Sequence, residues 1–303
     1  MAQTNKQPPL QAANRPTVSI ITTCKGRLHH LKQSLPLMLA QQPDELIVVD
    51  YSCPDGTGSW VERACPQTKL VRVPGQAGFN ASRARNHGAA AAASDWLFFV
   101  DADILLKPDA LEKVRPALKA GCFYTPWLKD VSAEVVQAYG TFLCRAADFA
   151  AIDGYDEVLE GWGGEDSDIY MRLKIRKLRE MYYKTNILTV IDHGDEERNI
   201  ATGMTDRGEN GAVNALYLQA KQKISLLRGG NGNLPLSERL ELLQIARRFV
   251  GPWYKAGARA PLPVRFAVAR TRPLTISADM KVRTETTVTV ILEPGGPLSA
   301  AAG

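Results

Sequence analysis

The pattern of apolar and polar positions is most regular between residues 17 and 103. VSII (18–21) is a short, mostly apolar run that predicts a strand, and Leu28, Leu31, Leu35 and Leu39 then recur at helical spacing, interrupted by Pro36. ELIVVD (45–50) predicts a second strand, followed by a turn with Pro54, Asp55, Gly56 and Gly58 and a helix from about Ser59 to Ala64. KLVRV (69–73), NASRARNHGAAAAA (80–93) and WLFFVDAD (96–103) continue as strand, helix and strand. Strands that are apolar along nearly their whole length, alternating with helices, imply an α/β protein whose mostly parallel central sheet is covered by helices on both faces. Ligands of such sheets bind beyond the carboxyl ends of the strands.

Beyond residue 120 the alternation weakens. GCFYTPW and AYGTFLCR predict strands, EDSDIYMRLKIRKL (165–178) a helix, and VNALYLQAKQKISLL (213–227) and SERLELLQIARRFV (237–250) two more helices separated by GGNGNLP. After a Pro-rich stretch, the alternating Thr and Val of PLTISADMKVRTETTVTVILEPG predict one or two strands. Residues 1–16 are polar, hold Pro8, Pro9 and Pro16, and are expected to form a disordered arm. The expected organisation is a main domain over 17–228 and a small C-terminal extension over 229–303.

Charge adds one feature. The net charge of +5 is uneven, because residues 221–303 hold 13 Lys and Arg against 5 Asp and Glu. The basic tail is a candidate contact for a membrane surface or an acidic polymer, or simply a solvated face. No stretch approaches the ~20 apolar residues of a membrane span, and the first residues lack the apolar run of a secretory signal. A cytoplasmic enzyme, at most peripheral to a membrane, is expected. The five cysteines, Cys24, Cys53, Cys65, Cys122 and Cys144, form no C-x-x-C pair and are expected to be reduced and structural.

Three segments carry candidate chemistry. Asp101 and Asp103 end an apolar strand, and two carboxylates so placed can hold a hard divalent cation against a diphosphate. In LEGWGGEDSD (159–168), Gly161, Gly163 and Gly164 surround Trp162 in a tight loop, and Glu165, Asp166 and Asp168 open a helix, where carboxylates also suit the helix dipole. His193 follows the apolar ILTVI and precedes a polar stretch, 194–214, that suits a loop closing over a ligand. A dinucleotide-dependent dehydrogenase is not supported, because no G-x-G-x-x-G follows the first strand.

SIITTCKGRLHHL, IVVDYSCPDGT, FNASRARNHGAA, FFVDAD, GWGGED and the later histidine stand in the order seen in family 2 glycosyltransferases. GWGGED and His193 resemble the β-1,4-galactosyltransferase and bacterial chondroitin-polymerase branch. The resemblance covers about residues 17–220 and implies a GT-A fold, which is Rossmann-like, and a UDP-sugar donor used with Mn²⁺, or Mg²⁺, on a glycan or polysaccharide acceptor. It implies Asp103 and His193 as metal ligands, with Asp101 facing the donor ribose. Thr23, Arg27 and Asp50 are implied as nucleotide contacts, and Arg85 as a contact to the diphosphate or base. Asp166 is implied as the general base of an inverting transfer, with Glu165, Trp162 and Gly163 on the acceptor side. Tyr51 stands where many members carry a second acid, and Thr23 and Gly26 stand where the galactosyltransferases carry Pro and Asn. A retaining polypeptide-type transferase shares WGGE but usually has Asn at the position of Asp166. A non-catalytic sugar- or nucleotide-binding module of the same fold is the alternative from another class.

Overall fold

The computed structural model describes residues 15–129, 131–161, 163–192, 206–270, 274–277, 280–282 and 285–294. Trp162, His193, most of the N-terminal arm and residues 194–205 of the expected closing loop therefore lie outside the described residues. The chain divides into two compact units, residues 1–73, 87–147 and 181–192 in the first and 74–86, 148–180 and 193–303 in the second.

The strands of the first unit include β1 (Val18–Cys24), β2 (Glu45–Asp50), β3 (Lys69–Arg72) and β4 (Trp96–Phe99), followed by the short β5 (Ile104–Leu106). Then come β6 (Cys122–Pro126), β7 (Phe142–Arg145), β8 (Arg179–Tyr183) and β9 (Leu188–Val190). The main sheet runs β3-β2-β1-β4-β7-β6-β8. It is parallel from β3 to β4 and antiparallel where β7 joins β4 and β6. Ile20 of β1 lies opposite Leu46 on one side and Phe98 on the other, and all seven β1 residues are buried. This is what a continuous apolar strand in the middle of a covered sheet requires.

Helices α1 (Leu28–Leu39), α2 (Thr57–Ala64), α3 (Ala81–Ala91), α4 (Ala110–Val114), α5 (Ala133–Val136) and α6 (Ala146–Ala150) connect these strands. Leu31, Leu35 and Met38 of α1 join the core with Val18, Ile20, Val48 and Phe98. Pro36, expected to interrupt α1, is contained in it; proline removes one backbone donor, and the apolar face on either side keeps the helix packed. The stretch after β4 also differs from expectation. Instead of one long strand, the chain turns at Asp101–Asp103 and leaves as β5, which pairs antiparallel with β9.

In the second unit, α7 (Glu165–Ile175), α8 (Arg207–Leu227) and α9 (Leu236–Lys255) precede β10 (Leu262–Arg270), β11 (Leu274–Ser277), β12 (Met280–Val282) and β13 (Glu285–Leu292). β10 pairs antiparallel with β13, and β11 with β12. One apolar cluster joins Val158 and Leu159 to Leu216, Tyr217 and Ile224 of α8, Leu243 and Val250 of α9, and Val264 and Phe266 of β10. α8 starts well before residue 213, because the Asp206 carboxylate accepts the N–H groups of Gly208 at 2.8 Å and Glu209 at 3.0 Å and so caps the helix.

The position near residue 228, where the extension was expected to begin, separates two helices that share this cluster. A chain ending at residue 228 would expose the apolar side of α8 that α9 and β10 cover. Such a truncation is expected to be insoluble or to melt far below the full chain; a soluble product with an unchanged urea midpoint would contradict this packing.

Candidate active site

In the first unit, three turns at the carboxyl ends of β1, β2 and β4 carry the predicted residues. Thr23 is buried near the end of β1. Arg27, at the start of α1, places Nη1 3.0 Å from Asp103 Oδ2, and both side chains are largely buried. Asp101 and Asp103 sit in the tight turn between β4 and β5, closed by the Ile104 N–H donating to the Asp101 carbonyl at 3.0 Å. The Ser34 hydroxyl of α1 donates to the Ala102 carbonyl at 2.7 Å and holds the same turn from the helix. The Asp103 carbonyl accepts the Ile191 N–H at 2.8 Å, which ties the end of β9 to the D-x-D turn.

Asp50 ends β2, and both its oxygens are already engaged. Oδ1 accepts the Cys53 N–H at 2.8 Å and Oδ2 the Gly58 N–H at 2.9 Å, while Arg72 Nη1 lies 3.5 Å from Oδ2. A Cβ on Gly58 would come within 2.5 Å of that Asp50 oxygen, so glycine is what allows α2 to begin against the carboxylate. Asp50 thus shapes the β2–α2 loop.

In the second unit, the loop before α7 contains Gly161, Gly163 and Gly164 with φ of +76°, +86° and +99°. This backbone suits residues without a Cβ, which explains three glycines around one tryptophan. Glu165 and Asp166 follow in the first turn of α7. Arg85 Nη1 lies 3.1 Å from Asp166 Oδ1 and 3.5 Å from Glu165 Oε1, and its guanidinium carbon stands 5.2 Å from the centre of the Tyr155 ring. The Tyr155 hydroxyl is 3.5 Å from Asp166 Oδ1. Arg85, expected at the donor diphosphate or base, is therefore placed on the two acids of α7. Asn86 clamps the Tyr155 segment, donating to the Tyr155 carbonyl at 3.0 Å and accepting the Tyr155 N–H at 2.9 Å. A small pocket beside Glu165 is lined by Ser82, Glu160, Gly161, Gly163 and Asn214.

Several residues that hold this arrangement were not singled out from the sequence. Asn214 of α8 donates to the Gly163 carbonyl at 2.9 Å, and Asn210 to the Glu160 carbonyl at 3.2 Å. Asp168 of α7, read from the sequence only as one of the acids that open the helix, is wholly buried and lies 2.7 Å from Arg172 Nη2 and 2.6 Å from Lys221 Nζ. Lys221 also meets Asp156 at 2.8 Å, and Arg239 of α9 meets the other Asp156 oxygen. Burial works to raise the Asp156 pKa, but Lys221 and Arg239 outweigh it and hold the carboxyl well below the ordinary range. The spacing of two asparagines four apart, 210 and 214, was the available signal for the upper contacts. No spacing rule joins Asp156 to Lys221.

Residues 19–139 match the family described as "Glycosyl transferase family 2", and residues 122–194 match "N-terminal domain of galactosyltransferase". The family 2 glycosyltransferase match is thus confined to residues 19–139, and the chain has a mixed α/β architecture like that of the GT-A glycosyltransferases. Two solved structures agree with that architecture. A mannosyltransferase from Pyrobaculum calidifontis in complex with GDP-Man and Mn²⁺ is 17% identical, with a TM-score of 0.51 over 84% of this chain and 79% of its own. S. aureus TarS 1-349 in complex with UDP is 16% identical, with a TM-score of 0.50 over 80% of this chain and 92% of its own. At these identities the likeness concerns the fold. No curated protein sequence matches the chain significantly.

Among the described residues, no group of three His, Cys, Asp or Glu side chains is gathered in a metal-like cluster, and no helix is long and apolar enough to cross a membrane.

Proposed function

We propose that the protein is an inverting glycosyltransferase that moves a hexose or N-acetylhexosamine from a UDP-sugar to a sugar hydroxyl of a glycan or polysaccharide, with a divalent cation. The observation that carries this reading is the acid pair at the start of α7, with Asp166 and Glu165 held by one buried arginine beside a small polar pocket. A sugar hydroxyl needs a base to take its proton as it bonds to the anomeric carbon, and Asp166 is the residue assigned that role. Glu165, Gly163 and Trp162 are assigned to the acceptor, the indole offering a flat apolar face for a sugar ring. Arg85 orients the two acids.

Thr23, Arg27, Asp50 and Asp101 are assigned to the donor nucleotide and ribose. Asp103 and His193 are assigned to the metal, His193 standing two residues beyond Ile191 in the sequence. The donor set fits a cation: Asp103 already binds a positive group, the Arg27 guanidinium, and a carboxylate with an imidazole suits Mn²⁺ better than Mg²⁺. Such an ion, once bound, would neutralise the diphosphate charge and favour its departure. A nucleoside-diphosphate donor and Mn²⁺ are also what the mannosyltransferase neighbour holds.

The basic tail is partly neutralised, since Arg228 pairs with Glu238 within it and Arg239 and Arg247 pair with Asp156 and Glu160 outside it. Contact with an acidic polymer or a peripheral membrane surface would fall to its other cations.

The direct test is nucleotide release over a panel of UDP-sugars and GDP-sugars with Mn²⁺, first by hydrolysis and then with candidate acceptors. Excess chelator is expected to abolish turnover, and His193→Asp to weaken Mn²⁺ binding and shift preference towards Mg²⁺. Full activity in chelator would remove the metal from this reading.

A further inference from the structure

The first unit holds a thiol pair for which the proposed transfer has no use. Cys24 is the last residue of β1, Cys53 lies in the loop between β2 and α2, and their sulfurs are 4.0 Å apart. Cys24 is buried and Cys53 is partly exposed. The Gly26 N–H donates to Cys53 Sγ at 3.1 Å and the Thr57 hydroxyl at 3.0 Å. Thr57 Oγ1 also lies 3.2 Å from Cys24 Sγ. A hydroxyl has one proton, so Thr57, donating to Cys53, cannot also donate to Cys24. The network is satisfied when Cys24 keeps its proton and Cys53 accepts from every side.

The charge state follows the same geometry. The Cys24 thiol donating to Cys53, then the Thr57 hydroxyl and the N–H groups of Asp55 and Gly26, outweigh partial burial and lower the Cys53 pKa to about 5. The partner shifts the other way, as its hydrogen bond to Cys53 and its burial push Cys24 well above the usual thiol value. A thiolate beside a protonated thiol is the arrangement of a reactive and a resolving cysteine.

We propose that Cys53 is a modification site, oxidised by hydroperoxides and then closed to a disulfide with Cys24. The Cys53 thiolate attacks one peroxide oxygen, the O–O bond breaks, and the departing hydroxide takes a proton to become water, leaving a sulfenic acid. Cys24 sulfur then attacks Cys53 sulfur and breaks its S–O bond, and the Cys24 proton leaves with the hydroxide as a second water. The two sulfurs lose two electrons and the peroxide gains them. Closing the sulfurs from 4.0 Å to a disulfide length of about 2.05 Å draws the β1–α1 turn against the β2–α2 loop. Arg27 lies in the first of these turns, and Thr23 and Asp50 stand in the strands that lead into them.

The test uses the full chain and reads peptides by mass spectrometry. At pH 6, iodoacetamide is expected to alkylate Cys53 at least about tenfold faster than Cys122, a cysteine likewise of intermediate burial, because the thiolate is the nucleophile. One equivalent of hydrogen peroxide is expected to give a Cys24–Cys53 linked peptide that a reductant removes. Cys24→Ser is expected to stop at a sulfenic acid on Cys53, trapped by dimedone. Alkylation of Cys53 no faster than Cys122, or no Cys24–Cys53 peptide from the wild-type chain, would overturn the proposal. None of these readouts involves turnover, so a failed transferase reading and a failed thiol reading give different results.

Discussion

Asp166→Asn is expected to lower kcat by roughly 10²–10⁴ while leaving UDP-sugar affinity and metal binding nearly unchanged. The amide keeps the shape of the carboxylate and can still accept from Arg85, which stands 3.1 Å from Asp166 Oδ1, so the first turn of α7 should stay in place. What it loses is basicity. Glu165→Gln should instead act at least partly through the acceptor KM, because Glu165 lines the pocket and its assigned role is binding. Arg85→Met is expected to damage both parameters, since it frees two acids at once. If Asp166→Asn kept near-normal kcat, or if the product retained the donor's anomeric configuration by NMR, inversion with this base would be abandoned.

Much of this site could be read in the sequence because its parts lie in short runs with local causes. The apolar run before D-x-D predicted a strand reaching the two acids; the structure ends β4 at Phe99 and sets Asp101 and Asp103 in the turn that follows. Three glycines around Trp162 demand positive φ, and the acids that follow start a helix; the structure has Gly161, Gly163 and Gly164 in that conformation and α7 beginning at Glu165. The elements that were missed had misleading punctuation. LPVRFAVAR forms β10 although Pro261 and Pro263 suggested irregular chain; the alternation of Val264, Phe266 and Val268, all buried, was the stronger signal. Gly208 and Gly211 likewise disguised the first turns of α8, where Asp206 supplies the cap.

The buried charges were illegible for a different reason. Lys221 on a helical stretch reads as a solvated position, and Asp156 as part of a turn. Only the packing of α8 and α9 against residues 156–168 brings Asp156, Asp168, Lys221 and Arg239 together, and long-range pairing of this kind leaves no period in the sequence. It also changes the meaning of the C-terminal extension, because Arg239 beyond residue 228 completes a network that begins on the helix carrying Asp166.

Lys221→Met is expected to destabilise the protein by about 3–5 kcal/mol, a large share of the ~5–15 kcal/mol that holds a typical domain folded. Methionine replaces the aliphatic stem but leaves Asp156 and Asp168, both wholly buried, without the ammonium that lies 2.8 Å and 2.6 Å from them. The pH dependence separates charge from packing. Asp156 has a folded pKa held below its ordinary 3.8, with burial opposing and Lys221 and Arg239 prevailing, so its ionisation stabilises the fold above that value. This contribution is complete at neutral pH and is lost as pH falls below 3.8 towards the folded value. Removing Lys221 removes the main lowering cause, so the folded pKa of Asp156 rises towards or past the unfolded one. The stability difference between wild type and variant, measured by urea unfolding, should therefore be greatest near pH 7 and shrink as pH falls below about 4. Adding Asp156→Asn to Lys221→Met should recover part of the loss, because one uncompensated charge is gone. A difference that stayed constant from neutral to acid pH would mean that Lys221 acts through its stem alone, and the link between α8 and the helix bearing Asp166 would then be one of packing.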